Sequence, residues 1–273
     1  MTTTLRLFLL AAGLLAGTAP ARAHDYWFEA DPVAPRPGDS TAVRLWVGHH
    51  MVSEVERKLQ LAKTPSFRVH GTAGTTDLLA GAKDDALPAA RFTPARAGGH
   101  LVAMERNASF IELEAKKFET YLKDEGLERI VLDREKRDET EKPGRERYAR
   151  CLKLYLAAGP VPAGDETYGR TVGHLLEIVP LRDPAALRPG DRLPVAVTFA
   201  GRPLADAAIG LLNRSGALTG AQRAKTDAAG RAEFVVWERG LWVVRLVHMI
   251  RAPAGDPQAD WESTWGAYSF YVR

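Results

Sequence analysis

The chain has 273 residues, 45% of them hydrophobic and 26% charged, so it is long enough for one large domain or for two. Its formal net charge is +3, two units of which come from Arg6 and Arg22 in an apparent leader. So small a basic balance is no argument for nucleic-acid binding, which needs a concentrated basic face. A single cysteine, Cys151, excludes an internal disulfide and is interpreted as a small buried hydrophobic residue.

The first 23 residues have the features of a cleavable signal peptide. Arg6 precedes the apolar run "LFLLAAGLLAG", and the following "ARA" supplies the small residues that a signal peptidase recognises. The run is too short to span a bilayer, and no later stretch is long enough either. We therefore expect an exported, periplasmic protein that begins at His24 with a free α-amino group.

Short strands are predicted for most of residues 24–160, the first predicted domain. "TAVRLWV" at 41–47 alternates with a period of two, and "RPGDS" before it is a turn signal. At about 110–137, apolar side chains at helical spacing predict two short amphipathic helices inserted between strands. "RYARCLKLYLAAG" then predicts a strand that returns to this domain.

A second domain is predicted for residues 174–273, after a linker rich in proline and glycine. Its short strands, about seven in a hundred residues, are typical of an immunoglobulin-like or transthyretin-like sandwich. The predicted fold class is therefore mainly β, with two β-sandwich domains and a short helical insertion in the first. Residues 133–147 carry 12 charges in 15 positions and are interpreted as a solvated segment, with a partner-docking surface as the alternative.

His24 is the most informative histidine. When it is the first residue, its α-amine and imidazole Nδ1 grip one metal ion in a six-membered ring, which suits Cu(II), Ni(II) or Co(II). The amine must lose a proton, and its reference pKa of about 7.7–8.0 makes this feasible once a metal competes for it. The alternative is that cleavage happens to fall before a histidine.

Other histidines are candidate ligands. His49 and His50 end a predicted strand, where a β-scaffold displays functional groups, and only one of the two is expected to reach a shared site. His100 starts a strand, and His248 lies on the apolar face of "LWVVRLVHM", where a hydrogen-bonded core position is the alternative. The remaining two histidines, His70 and His174, are predicted to be ordinary surface residues.

Acidic and aromatic residues surround several of these positions. Asp25, Glu29, Asp260 and Glu262 are candidate oxygen ligands, or partners that orient a histidine N–H. The aromatic residues near the new terminus and in "ADWESTW" suit either a sugar-binding platform or ordinary core packing. They are Tyr26, Trp27, Phe28, Trp261 and Trp265.

At these residues the chain resembles the DUF4198 family. The resemblance runs in order over nearly the whole mature chain, through "AHDYWFEADPVAPRPGDSTAVRLWVGHH", "FIELEAKKFETYLKDEGLERI" and "LVHMIRAP". It implies a periplasmic or cell-surface β-protein of the kind described as a periplasmic component of nickel or cobalt uptake systems. Residue by residue, the family pattern matches His24, a histidine of "VGHH", His100, His248 and Glu262.

Three functions are consistent with these features. The leading hypothesis is a metal-binding protein, without catalytic activity, that captures nickel or cobalt and passes it to an inner-membrane transporter. Its ligands are His24, one of His49 or His50, and His100, His248 and Glu262 as candidates to complete the site; copper and zinc are the alternative metals. The second hypothesis is an exported module that binds a protein or glycan without metal. The third is a copper enzyme with an N-terminal histidine brace, which requires a second histidine opposite the terminus.

Overall fold

A computed structural model describes residues 24–49 and 51–273, so the predicted signal peptide at 1–23 and His50 lie outside the described residues. The described chain is mainly β, with strands arranged in packed sheets, and the predicted fold class is confirmed. Two helices, α1 (Ala115–Asp124) and α2 (Glu128–Lys136), lie inside the segment where they are predicted. Neither these nor any other helix among the described residues is long and apolar enough to cross a membrane.

The described residues contain sixteen strands. In chain order they are β1 (Asp25–Asp31), β2 (Thr41–His49), β3 (Val52–Arg57), β4 (Ser66–Gly71), β5 (Gly74–Asp77), β6 (Ala90–Phe92), β7 (Gly98–Leu113), β8 (Gly144–Ala158), β9 (Leu176–Pro180), β10 (Arg192–Phe199), β11 (Arg202–Pro203), β12 (Ala208–Ser215), β13 (Leu218–Lys225), β14 (Arg231–Val235), β15 (Gly240–Arg251) and β16 (Trp261–Val272). They form three sheets.

An eight-stranded central sheet has the order β13-β12-β15-β16-β8-β7-β4-β5. Its neighbours pair antiparallel except β16 and β8, which run parallel. A front sheet contains β1, β2 and β3, with β6 paired to β2. A back sheet contains β9, β10, β11 and β14.

The central sheet is covered on both faces. On β8, Leu152, Leu154 and Leu156 belong to the core shared with the front sheet, whereas Cys151 and Tyr155 belong to the core shared with the back sheet. Since alternate side chains of a strand point to opposite faces, the front and back sheets lie on opposite sides of the central one. The result is three β-layers with two apolar cores between them.

The two predicted domains share this central sheet. Strands from residues 24–160 supply β4, β5, β7 and β8, and strands from residues 174–273 supply β12, β13, β15 and β16. The two sandwiches are thus built on opposite faces of one continuous sheet. Cys151 is buried as predicted, and burial raises the pKa of its thiol to about 11, which makes it an unreactive core residue.

The helices cover the front face of the central sheet beside the front sheet. Phe118, Tyr121 and Leu122 form the buried stripe of α1, and they pack with Trp261 and Trp265 of β16 in a third apolar cluster. This packing leaves a gap where β1, α1 and the central sheet meet. The candidate site lies in that gap.

Candidate functional site

His24 lies at the end of the β1–β2 strand pair. The antiparallel register of β1 and β2 ends with Asp25 opposite Gly48, and one further step in the same register would set His24 opposite His49. Side chains at opposite positions share a face and have Cβ atoms about 5 Å apart. Only glycine fits at position 48, because a Cβ there would lie 1.9 Å from the carbonyl oxygen of Val52. The chain therefore turns tightly after His49, where β2 ends, and β3 begins at Val52.

The residue after His24 is anchored from the opposite side. The buried guanidinium of Arg245, on β15, lies 2.6 Å from the Asp25 carboxylate and 2.5 Å from that of Glu125, at the end of α1. This bridge ties β1 to the central sheet and to the helix. It also occupies the Asp25 carboxylate, so the structure does not present Asp25 as a metal ligand.

A cavity of about 280 Å³, here called the His24 pocket, lies next to this anchored end. Its walls are mostly aromatic and apolar, and four of the lining residues have ionisable side chains. The aromatic and apolar residues are Tyr26, Val47, Ile111, Leu113, Tyr121, Tyr148 and Trp265, and the titratable ones are His24, Arg57, Glu146 and Arg150.

Two strands of the central sheet, β7 and β8, position five of these eleven lining residues. Glu146, Tyr148 and Arg150 alternate along β8 and therefore point to the same face. The register of β7 against β8 shifts between Arg106 and Ser109, and such an irregularity re-aims the side chains that follow it. The shift brings the later part of β7 onto the pocket side of the sheet.

Glu146 is the buried acid of the pocket, with 2% of its surface exposed. Its Oε1 accepts hydrogen bonds from the Tyr121 hydroxyl, at 3.1 Å, and from the Ser263 hydroxyl, which in turn accepts from the Trp265 indole. Burial raises the pKa of Glu146, although these hydroxyls and the Arg150 charge oppose the shift. The carboxyl is held in one orientation near the pocket floor.

A second cavity, of about 430 Å³, adjoins the first and is here called the arginine groove. Tyr26, Arg57, Tyr148 and Arg150 line both cavities. The groove is strongly cationic, and its basic residues are Arg57, Lys58, Lys63, Arg106 and Arg150. The two cavities thus form one continuous depression with an imidazole at one end and guanidinium groups at the other.

The other predicted ligands lie elsewhere. His100 packs on Phe92, with its Nδ1 3.1 Å from the Gly98 carbonyl oxygen, and it is six residues, roughly 20 Å, from Arg106 along β7. The ring of His248 lies 4.4 Å from that of Phe199, on the back face of the central sheet.

Glu262 is likewise engaged, since its carboxylate is 2.9 Å from the guanidinium of Arg147. Of the six predicted ligands, His24 lines the pocket, His49 ends the neighbouring strand β2 without lining the pocket, and His50 lies outside the described residues. His100, His248 and Glu262 are engaged elsewhere. Across residues 24–49 and 51–273, no group of three or more His, Cys, Asp or Glu side chains is arranged to hold a metal ion.

His70 and His174 are not the surface residues that the sequence predicts, since each is only 7% exposed. Both lie beside the buried ion pair of Lys153 and Glu177, between the central and back sheets. Burial, and then the charge of Lys153, lowers the pKa of His174 to about 4. The residues are hidden because the back sheet and the chain before β9 cover this face.

The Lys153–Glu177 cluster is internally satisfied. Lys153 donates to the Glu177 carboxylate and to the carbonyl oxygens of Arg170 and Ile178. The other Glu177 oxygen accepts three backbone N–H groups, from residues 172–174, at 2.8–2.9 Å. Its charges face protein on every side, and it is a structural feature.

The predicted aromatic platform does not form a surface. Trp27, Phe28 and Trp261 are at most 1% exposed and belong to the cores. Tyr26 and Trp265 line the His24 pocket instead. Two neighbouring acids are also engaged with arginines: Glu29 with Arg214 and Asp260 with Arg145.

Several residues of the His24 pocket and of the arginine groove are absent from the sequence-based candidates, namely Tyr121, Glu146, Tyr148, Arg106 and Arg150. The signal was present in "RERYARC", where an acid, an aromatic residue and a cation alternate at the start of a strand whose later part is apolar on both faces. Polar residues at the start of such a strand indicate that the layers covering the sheet separate there.

Known protein families provide one match. Residues 21–250 match the family described as "Domain of unknown function (DUF4198)". Among curated proteins, none matches the chain. The match covers well over half of the 273 residues. The chain therefore belongs to the DUF4198 family.

Proposed function

We propose that this protein is a periplasmic metal-binding protein whose site forms when export leaves His24 as the first residue. The ion is bound by the α-amine and imidazole of His24 together with the imidazole of His49, and it is handed on to an inner-membrane transporter. Nickel and cobalt are the proposed cargo. The observation that supports this proposal is the β1–β2 register, which ends with Asp25 opposite Gly48, one residue short of His24 and of His49.

The chemistry of the donor set supports a transition metal. Three nitrogen donors, two of them on one residue, suit Ni(II), Co(II) or Cu(II) far better than Mg(II) or Ca(II), which prefer oxygen. The anchored Asp25 holds the chelating residue in place, so little ordering is needed on binding. His50 lies outside the described residues, and the proposal does not depend on it.

The expected affinity for the ion and the ease of its release both suit a protein that carries a metal to a transporter. A micromolar Kd corresponds to roughly 8 kcal/mol of binding free energy, which three nitrogen ligands can supply. Positions left open around the ion would be free for water or for a group on the receiving transporter. Binding is expected to weaken below neutral pH, because protons compete for the amine and the imidazoles.

The test is isothermal titration calorimetry of protein that starts at His24 with Ni(II), Co(II), Cu(II) and Zn(II). The same protein with one extra residue before His24 keeps both imidazoles but loses the amine–imidazole chelate. We expect that extension to weaken binding by about 100-fold, equivalent to about 2.7 kcal/mol. His49→Ala should weaken it by a similar factor.

His248→Gln is the matched control, because His248 lies on the opposite face of the central sheet. Its affinity should equal that of the wild type. Equal affinities for the protein that starts at His24 and the extended protein would remove His24 from the site. Absence of binding for all four metals would favour the exported interaction module instead.

The same arrangement supports one second candidate. A copper histidine brace requires a second histidine opposite the terminal one, and His49 would take that position if the β1–β2 register continued one residue beyond Asp25 and Gly48. Strong preference for Cu(II) over Ni(II) and Co(II) in the titration, together with reduction of the bound copper by ascorbate, would select this alternative.

A further inference from the structure

Two arginines face each other across the strands that line the arginine groove. Arg106 on β7 is directly opposite Arg150 on β8 in the antiparallel register. Both line the groove, so their charged groups share a face. Like charges at directly opposite positions destabilise a strand pair. An anion bound between the two guanidinium groups would offset this repulsion.

Arg57 of β3 adds a third guanidinium to the same groove. Burial lowers the pKa of Arg106, and the positive charges of Arg150 and Arg57 lower it further. Two acids also line the groove, Glu56 and Asp85. Oε2 of Glu56 accepts a hydrogen bond from Arg44, and its Oε1 is buried without a partner among the described residues. Within the part of the chain that the structure describes, none of the three arginines forms an ion pair with a carboxylate.

Two donor atoms of these arginines are buried and have no acceptor among the described residues. They are Nη1 of Arg106 and Nε of Arg150. Buried donors are normally satisfied, and one left unpaired is destabilising. The only hydrogen bond of the Arg106 guanidinium in the described chain runs from Nη2 to Gln60 Oε1, at 2.7 Å.

Aromatic rings hold these guanidinium groups in place. The Arg150 guanidinium carbon lies 4.0 Å from the centroid of Tyr26 and 4.8 Å from that of Tyr148. The Arg106 guanidinium carbon lies 5.8 Å from the same Tyr26 ring. A guanidinium whose face rests on a ring offers its edge as a planar, preorganised set of donors, which matches a carboxylate.

We propose that the arginine groove binds a small organic anion that carries two or more carboxylates. Arg106 and Arg150 would hold one carboxylate between them, and Arg57 a second. The groove volume of about 430 Å³ lies within the range of small-molecule sites. The aromatic walls favour an organic body over a bare inorganic ion. The proposal does not depend on a metal at His24.

The test is calorimetric titration of citrate into protein that has been freed of metal on a chelating resin, at low ionic strength. We expect saturable binding of one citrate per chain. Arg106→Gln should weaken it by about 10- to 100-fold, because a charge-assisted pair of hydrogen bonds is lost. Arg192→Gln, which changes an exposed arginine on the back sheet, is the matched control and should bind citrate as the wild type does.

Two further arms define the ligand class. Acetate and inorganic phosphate should each bind at least about 10-fold more weakly than citrate, because one lacks the second carboxylate and the other lacks the organic body. Phosphate binding as tight as citrate binding would overturn the assignment to carboxylates. Lack of saturable citrate binding by the wild type, or equal binding by Arg106→Gln, would overturn the site itself.

Thermal unfolding separates ligand binding from a structural role. Without citrate, Arg106→Gln should have a melting temperature equal to or above that of the wild type, because it removes repulsion from Arg150. Citrate should raise the melting temperature of the wild type and not that of the variant. A lower melting temperature for the variant without citrate, with no shift on adding citrate to the wild type, would show that the arginines serve packing alone. Metal titrations of Arg106→Gln should be unchanged, so this proposal and the one at His24 fail independently.

Discussion

The two faces of the central sheet treat buried charge in opposite ways. On the back face, Lys153 and Glu177 neutralise each other, and their remaining polar atoms are bonded to the backbone. On the front face, Arg106 and Arg150 face each other beside a cavity, and a donor of each is left without an acceptor among the described residues. The strands β7 and β8 contribute to both faces.

A charged cluster that is closed by protein serves the stability of the fold, whereas one that is open to a cavity can bind a ligand. A closed cluster has no donor or acceptor available for a ligand. Its charges therefore affect the stability of the fold and do not bind a ligand. An open cluster lines a cavity, where a ligand can offset its charge. Changes to the closed cluster should therefore alter the free energy of unfolding, and changes to the open one should chiefly alter binding.

The largest expected effect is that of Lys153→Met. It leaves the Glu177 carboxylate buried without its cation, which should lower the free energy of unfolding by about 3–5 kcal/mol. Chemical denaturation at pH 7 measures it. Arg106→Met, the matched change on the front face, should alter that free energy by less than about 1 kcal/mol. Equal losses in the two variants would remove the distinction between the faces.

A somewhat smaller effect is expected from pH at His174. Its folded pKa of about 4 lies below the unfolded value of 6.5, so between these values the unfolded chain binds a proton that the folded one does not. Stability present above pH 6.5 is therefore lost as the pH falls toward 4, by about 3 kcal/mol in all. Unfolding free energies at several pH values, taken as wild type minus His174→Gln, should show this loss. A difference independent of pH would contradict it.

Glu146→Gln should show the opposite dependence on pH and a smaller effect. Burial raises the folded pKa of Glu146, so stability present at acidic pH is lost as the pH rises through that value. The amide keeps an acceptor for Tyr121 and Ser263 but carries no charge. Relative to the wild type, the variant should gain stability between pH 4 and pH 8, as measured by thermal unfolding. A relative loss would show that the carboxylate is required for the fold.

The smallest effect is expected at an exposed ion pair. Arg192 and Glu233 form a bridge on the back sheet, with 69% and 45% of their side chains exposed. Water and salt screen such a pair, so Arg192→Gln should change the free energy of unfolding by less than about 0.5 kcal/mol. The same denaturation experiment sets this as the baseline against which the buried sites are compared.

The sequence was sufficient for the type of each main element but not for the arrangement of the layers. Alternation in "TAVRLWV" and helical spacing after residue 110 predicted β2 and the helices, because both periods report which side of an element is buried. Strands β8 and β15 are apolar at both parities over much of their length, which is the pattern of a strand covered on both faces. The sequence alone therefore indicated that these strands are covered on both faces. The pairing of β16 with β8 could not be predicted from the sequence, because it joins residues more than a hundred positions apart.

The same limit explains the errors among individual residues. His70 and His174 have sequence neighbours typical of a surface, and only the back sheet, formed by distant residues, buries them. Arg134 belongs to a charge-rich segment that was predicted to be solvated, yet it is 4% exposed and donates to the carbonyl oxygens of Glu139 and Lys142. Local composition predicts exposure poorly where a later strand or loop returns over the segment.

The position of β16 has a practical consequence for anyone dissecting this protein. The family match ends at residue 250, whereas β16 begins at Trp261 and lies between β15 and β8 in the middle of the central sheet. Trimming at the edge of the match would open a gap inside the sheet, expose two hydrogen-bonding edges and strip the indole of Trp265 from the His24 pocket. Reporter fusions and affinity handles accordingly belong after Arg273, and a shortened chain that aggregates would say nothing about what the protein binds.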